Sequence, residues 1–246
     1  MSAETANSPN GLQVMMTFLR SSVGAKFLMA ITGLVMWGFV IGHLAGNLQV
    51  FLPAPEGGYA GQQLNDYAHF LKSTPSLLWG TRIALLASVL LHIYSGIRLA
   101  SLNREARGQQ YAKWTPRSST LASRYMVVSG LVILSFIVFH LLHFTGGLID
   151  PALMELRDQA GQHDVHKMMW EGFRNPAVAG FYALSIILLM KHLSHGSVSL
   201  FQSLGIRSSA WTPVISLGAR LIVLGLLVGF LSIPVFLSVG LMIHGG

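Results

Sequence analysis

Five segments of this chain stay apolar for 20 residues or more, and that pattern constrains the fold more than any other feature. They run Phe27–Phe51, Leu77–Ala100, Tyr125–Leu148, Ala177–Gly196 and Val214–Ile243. Crossing the hydrocarbon of a bilayer takes about 20 residues of helix. Lipid offers backbone amides no partner, so such a segment must satisfy its own hydrogen bonds as a helix. The expectation is an all-α membrane protein with five transmembrane helices in a bundle. The composition supports it: only 10% of residues are charged, where soluble domains carry about a quarter. The last run contains Pro234, which predicts a tilt, a kink or an early end.

The net charge of +7 could suggest nucleic acid, but the charges sit where membrane topology alone would put them. Arg98 to Arg124 holds six basic residues against one acid, Glu105, and Lys191 to Arg220 holds three and no acid. Leu48–Ser76 carries only Lys72, and Thr145–Pro176 carries three bases against five acids. With Arg20 and Lys26, eleven basic residues fall on one side and four on the other. The positive-inside rule then places the N-terminus in the cytoplasm and the C-terminus outside, in a multi-pass inner (cytoplasmic) membrane protein with no nucleic-acid partner. Residues 1–20 read as a polar N-terminal segment without the features of a signal peptide, and residues 21–246 as one membrane domain.

There are no cysteines, which excludes disulfides, cysteine-ligated iron–sulfur clusters and covalent haem attachment. There are ten histidines. His69, His163, His166 and His244 fall in loops or at the C-terminus, where solvation explains them. His43, His92, His140, His143, His192 and His195 fall within or at the ends of the apolar runs. An imidazole there has lost its water and needs a partner, so it is a functional candidate by default.

A single such histidine would be explained by a helix–helix hydrogen bond. Four spans bearing at least one point to iron held between helices, since imidazole is a common haem ligand. Depth separates the residues into two levels. From the inner helix ends, His43 lies about 24 Å in, His140 about 27 Å, His92 about 12 Å and His192 about 6–9 Å. His43 pairs with His140 near the outer face and His92 with His192 near the inner face, which predicts two stacked b-type haems (haem iron, bis-His). Two imidazoles leave iron no open position, so such a haem would carry electrons rather than bind oxygen. His143 and His195 each lie three residues beyond a proposed ligand, on roughly the same helix face. Each is open as a replacement ligand, a propionate partner or an interfacial residue. Gly33, Gly38, Gly42 and Gly46 either leave room for a macrocycle or serve close helix packing.

The motifs around these residues carry a resemblance. Lys26-Phe-Leu-Met-Ala-Ile-Thr-Gly33, followed by Ile41-Gly-His-Leu-Ala-Gly-Asn47, resembles the first helix of the cytochrome b558 anchors of succinate dehydrogenases and fumarate reductases. His92-Ile-Tyr-Ser-Gly-Ile-Arg98, Phe139-His-Leu-Leu-His-Phe144 and His192-Leu-Ser-His-Gly196 resemble its other ligand regions, and the likeness covers nearly the whole chain after Ser21. The resemblance implies axial ligands His43, His92, His140 and His192. It also implies a flavoprotein subunit holding FAD and an iron–sulfur subunit at the cytoplasmic face, and a lipid-soluble quinone, menaquinone being usual. The role implied is the electron-transfer subunit of succinate:quinone oxidoreductase (respiratory complex II, serving the tricarboxylic acid cycle), with dicarboxylate chemistry left to the partners. A di-haem subunit of another quinone-linked enzyme, such as nitrate reductase, is the alternative.

Arg98 is either a partner for an inner haem propionate or a topological charge at the helix end. Arg82 could serve an outer propionate or a quinone carbonyl, and Asn65, Asp66, Tyr67 and His69 are the candidate quinone residues. One departure stands out: where some relatives place a Glu implicated in proton movement, this chain has Met190.

Overall fold

The computed structural model describes residues 10–105, 126–206 and 208–244. Residues 1–9 of the expected polar segment lie outside the described residues, as do the basic residues Arg107, Lys113, Arg117, Arg124 and Arg207 and the expected start of the third span, Tyr125.

Five helices are long and apolar enough to cross a membrane: Ser22–Phe51, Pro75–Glu105, Met126–Thr145, Pro176–Ser203 and Trp211–Gly240. In chain order the helices are α1 (Gly11–Arg20), α2 (Ser22–Asn47), α3 (Gln62–Ser73), α4 (Pro75–Glu105), α5 (Met126–His140), α6 (Ala152–Glu155), α7 (Val165–Gly172), α8 (Pro176–Ser203) and α9 (Trp211–His244). A 3₁₀ turn, Leu48–Phe51, closes α2, and a single π-turn, Leu141–Thr145, closes α5.

These helices are apolar on the outside as well as the inside. Ile83 and Leu86 of α4 and Leu131 of α5 expose 64%, 62% and 59% of their surface. Water would penalise so large an apolar surface, and lipid does not. The protein is therefore a multi-pass membrane protein.

Packing is uneven around the bundle. The buried core gathers between α2, α8 and α9, from Leu44 through Tyr182, Ile186 and Met190 to Leu226, Ile233 and Leu237. α9 runs ten residues past Pro234 without ending, and Pro234 is itself fully buried. Helix α4 packs on α2 and helix α5 on α8, where Phe136 and Phe139 meet the core, and a cavity is left between the two pairs.

Short helices α3, α6 and α7 fold over one end of the bundle as a cap. Asn65, 1% exposed, donates from Nδ2 to Asp164 Oδ1 (3.1 Å) and accepts from the His166 amide (3.0 Å). Asp164 also accepts from the Lys167 amide and so caps α7. Gly61 opens α3 at φ +82°, and a Cβ there would run into the His166 ring. Tyr59 Oη donates to Asp158 Oδ2 (2.7 Å). Burial, and then that bond, push the Tyr59 hydroxyl up to about 12. Burial alone would raise Asp158, but the Tyr59 hydroxyl and the Gln162 and Ala160 amides outweigh it and hold the carboxyl below its usual value.

The opposite end carries α1, a short helix within the expected polar N-terminal segment that precedes the first span. Asn10 and Gln13 form a reciprocal capping box at its start. Ser21 ends α1 and caps α2 through its side chain, with Gly24 N at 3.0 Å.

Candidate functional site

The cavity between α2, α4, α5, α8 and α9 has a volume of about 2930 Å³. That is several times the roughly 300–1,000 Å³ of a pocket for one small ligand. His43, His92, His140 and His192 all border it. They stand in two cross-helix pairs. His43 of α2 faces His140 of α5 with ring centres 5.9 Å apart, the planes at 87°. His92 of α4 faces His192 of α8 at 6.4 Å, the planes at 57°. Helix direction brings these together: His43 and His140 lie near the C-terminal, capped ends of the parallel helices α2 and α5, and His92 and His192 toward the other end of α4 and α8, which run the opposite way.

In the pair nearer the basic end, each Nδ1 faces a hydroxyl. Thr32 Oγ1 lies 3.2 Å from His92 Nδ1, and Ser129 Oγ lies 3.1 Å from His192 Nδ1. Each hydroxyl gives its one proton to a carbonyl of its own helix, Thr32 to Leu28 O (2.8 Å) and Ser129 to Met126 O (3.0 Å). Toward the imidazole each oxygen can then only accept. With the hydroxyl protons so placed, each ring carries hydrogen on Nδ1, the tautomer that leaves the Nε2 lone pair free as a metal ligand. Gly33 and Gly130 border the cavity beside these rings, where an added Cβ would sit 3.6 Å from His92 Cε1 and 3.9 Å from His192 Cε1.

The pair nearer the cap is set among aromatic rings. Phe39 stacks on His43 at 5.2 Å, and Phe136 and Phe144 flank His140 at 5.9 and 6.0 Å. Tyr182 Oη lies 3.4 Å from His140 Nδ1 and 3.1 Å from His143 Nδ1, so one phenol bridges both histidines of α5 and its π-turn. π-turns of this kind recur at functional sites. His143 is 3% exposed, packs 4.1 Å from Phe144 and does not border the cavity. His195 does border the cavity, one turn beyond His192.

The remaining expected site residues separate. Arg82 borders the cavity, its guanidinium 5.0 Å from the Trp79 ring centre. Arg98 does not border it: Nε and Nη2 both donate to the Arg20 carbonyl that ends α1, Nε at 3.1 Å. The carbonyl at the end of a helix lacks an intrahelical donor, and the guanidinium supplies one. Lys26 and Arg104 are the cations that border the cavity at that end. Asn65, Asp66, Tyr67 and His69 all sit in α3, and none borders the cavity. Asn65 is engaged in the cap, Tyr67 packs against Gly46, and Asp66 and His69 are exposed. Gly33 adjoins His92, whereas Gly38 and Gly42 have open space where a side chain would stand. Met190 is buried in the α8–α9 core.

The donor set bears on what can bind. Among the described residues, no group of three or more His, Cys, Asp or Glu converges as a bare metal ion would require. An iron that arrives inside a porphyrin needs only the two axial ligands. Two imidazoles bound through nitrogen to one metal, at about 2 Å each, would stand with ring centres roughly 6 Å apart. Both pairs meet that spacing, and the cavity around them is apolar with cations at its ends, so the residues fit haem.

A family model described as "MDM10-complementing protein 1, transmembrane domain" matches residues 38–149, a stretch holding His43, His92 and His140. No curated protein and no solved structure matches the chain. The match overturns the assignment to the succinate dehydrogenase/fumarate reductase cytochrome family. With it fall the expected role as a subunit of succinate:quinone oxidoreductase, the nitrate reductase alternative, the enzyme class, and the complex II, electron-transport and tricarboxylic acid cycle context, and the match itself lends no support to haem. The physical reason is that the motifs were short. Small residues and a histidine one helical turn apart serve helix packing in any apolar span, so they do not identify one family.

Proposed function

We propose that this chain is a membrane haem protein that holds two b-type haems in line across the bilayer, each between two histidines of different helices. The observation that carries the reading is the pair of cross-helix histidine contacts, 5.9 and 6.4 Å between ring centres, in one cavity. His43 and His140 would hold one haem, His92 and His192 the other. A haem with both axial positions filled supplies one-electron transfer.

The chain's own residues do the rest. Thr32 and Ser129 orient His92 and His192 and keep their Nε2 lone pairs free, while Tyr182 positions His140. Gly33 and Gly130 leave space beside the inner rings, and Arg82 at one end and Lys26 and Arg104 at the other offer cations to carboxylate groups. The apolar walls exclude water and keep both sites at low dielectric. The positive-inside rule puts α1 and the Arg98–Arg124 segment in the cytoplasm and the cap outside. The flavoprotein and iron–sulfur partners and the quinone site drew their support from the overturned resemblance, and this reading does not include them.

Quantifying haem in protein purified from cells supplied with iron tests the proposal. Reduced-minus-oxidised spectra should show b-type bands and about two haems per chain, and protein that folds without any haem would refute it. Because the chain has no cysteine, a single Glu105→Cys or Glu56→Cys change reports orientation. An impermeant thiol reagent added from outside should label position 56 and spare position 105.

A further inference from the structure

Helices α8 and α9 each carry a single Lys, Arg, Asp or Glu along their whole length, Lys191 and Arg220. Both line the same groove, a space of about 260 Å³ between the two helices on the side away from the histidines. Both are exposed on the lipid-facing surface, about 14–18 Å from the nearer helix ends. Neither is ion-paired or hydrogen-bonded among the described residues, where the one salt bridge is Arg174–Glu171. Unpaired cations at membrane depth are costly, and long side chains relieve that cost by reaching toward the interface. Two of them meeting in one groove call for a shared anion.

The groove has the polarity of a phospholipid. Lys191, Ser194 and Arg220 occupy its end toward the α8–α9 connection. Ile187 lies one turn farther along α8, and Val223, Leu224 and Leu227 lie one to two turns farther along the antiparallel α9, toward the middle of the bilayer. Met190 and Val223 are buried and form its floor, and Leu224, 55% exposed, forms a wall. Cations with a hydroxyl at the interfacial end and an aliphatic trough leading inward suit a phosphate headgroup with one acyl chain. Basic pockets between transmembrane helices bind anionic headgroups in this way.

We propose that the α8–α9 groove is a binding site for one anionic phospholipid, whose phosphate Lys191, Ser194 and Arg220 hold and whose acyl chain lies along Ile187, Leu224 and Leu227. The site is independent of the haem reading, since none of these residues borders the histidine cavity.

The test uses the full chain in mild detergent, stripped of lipid. It is titrated separately with phosphatidylglycerol, phosphatidylcholine and inorganic phosphate, followed by native mass spectrometry and thermal unfolding. One phosphatidylglycerol should bind per chain and raise the unfolding temperature, with phosphatidylcholine much weaker and inorganic phosphate without effect. K191Q/R220Q should weaken phosphatidylglycerol by roughly thirtyfold, the loss of two lipid-facing cations. Leu224→Trp, which fills the trough with both charges intact, should weaken it as well. Equal binding of phosphatidylcholine, full stabilisation by inorganic phosphate, or unchanged phosphatidylglycerol binding in both variants would overturn the proposal. So would a wild-type dimer that the double variant dissolves, because the anion would then belong to a protein neighbour.

Discussion

The two histidine pairs share a spacing and little else. His43 and His140 sit under the cap in a sheath of Phe39, Phe136, Phe144 and Phe230, with rings perpendicular and a phenol, Tyr182, as the polar partner. His92 and His192 lie toward the basic end, with their rings at 57° and a backbone-anchored hydroxyl on each Nδ1. One site is held by packing and the other by hydrogen bonds. The comparison implies that the two can be damaged separately, and by different kinds of substitution.

The largest effect comes from the ligands. His43→Ala or His140→Ala should remove the cap-side haem, and His92→Ala or His192→Ala the other, so each variant keeps about one haem per chain by difference spectroscopy. Retention of both haems in any of the four would reassign that ligand, to His143 for His140 or to His195 for His192. Next, Gly33→Leu and Gly130→Leu should each displace the basic-end haem alone, because a branched side chain would fill space beside His92 or His192. Loss of the cap-side haem in those variants would show that the sites are not independent.

Positioning residues come third. Thr32→Val and Ser129→Ala should weaken retention of the basic-end haem by roughly tenfold to a hundredfold, and Tyr182→Phe should do so only at the cap side. Thr32→Ser should restore the wild-type value, and a loss spread over both haems would mean general loosening. The smallest effect concerns the cap. The Tyr59 hydroxyl is raised in the folded protein, so the stability it contributes is complete below its unfolded value near 10 and is lost as pH climbs through about 12. Asp158 is depressed, so its contribution is present above its unfolded value and is lost as pH falls below 3.8. Thermal melts of Tyr59→Phe should lose the alkaline sensitivity, and an unchanged alkaline limb would remove this bond from the cap's stability.

Much of this architecture could be read from residue order. The five apolar runs match the five spans to within a few residues at most ends, although α4 and α8 continue past Ala100 and Gly196 into polar sequence. Apolarity marks the part of a helix inside lipid, while backbone hydrogen bonds continue beyond it. The two-level pairing was legible because helix direction and 1.5 Å per residue fix depth. Rotation about the helix axis was not legible. Thr32 and Ser129 look like hydroxyls bonded only to their own helix, Tyr182 like one more aromatic, and Arg98 like a cavity cation when its partner is the Arg20 carbonyl. The cap was not legible because its bonds, Asn65 to Asp164 and Tyr59 to Asp158, join segments about a hundred residues apart. The family assignment failed for a related reason: short histidine motifs report what a buried imidazole needs around it, and several families share that need.

Electron paramagnetic resonance of the oxidised, purified protein tests the central claim most directly. Two bis-histidine haems with different ring angles should give two distinct low-spin ferric signals of equal weight, and His92→Ala should abolish one and preserve the other. A high-spin ferric signal from the wild type, or folded protein with no haem iron at all, would contradict the account.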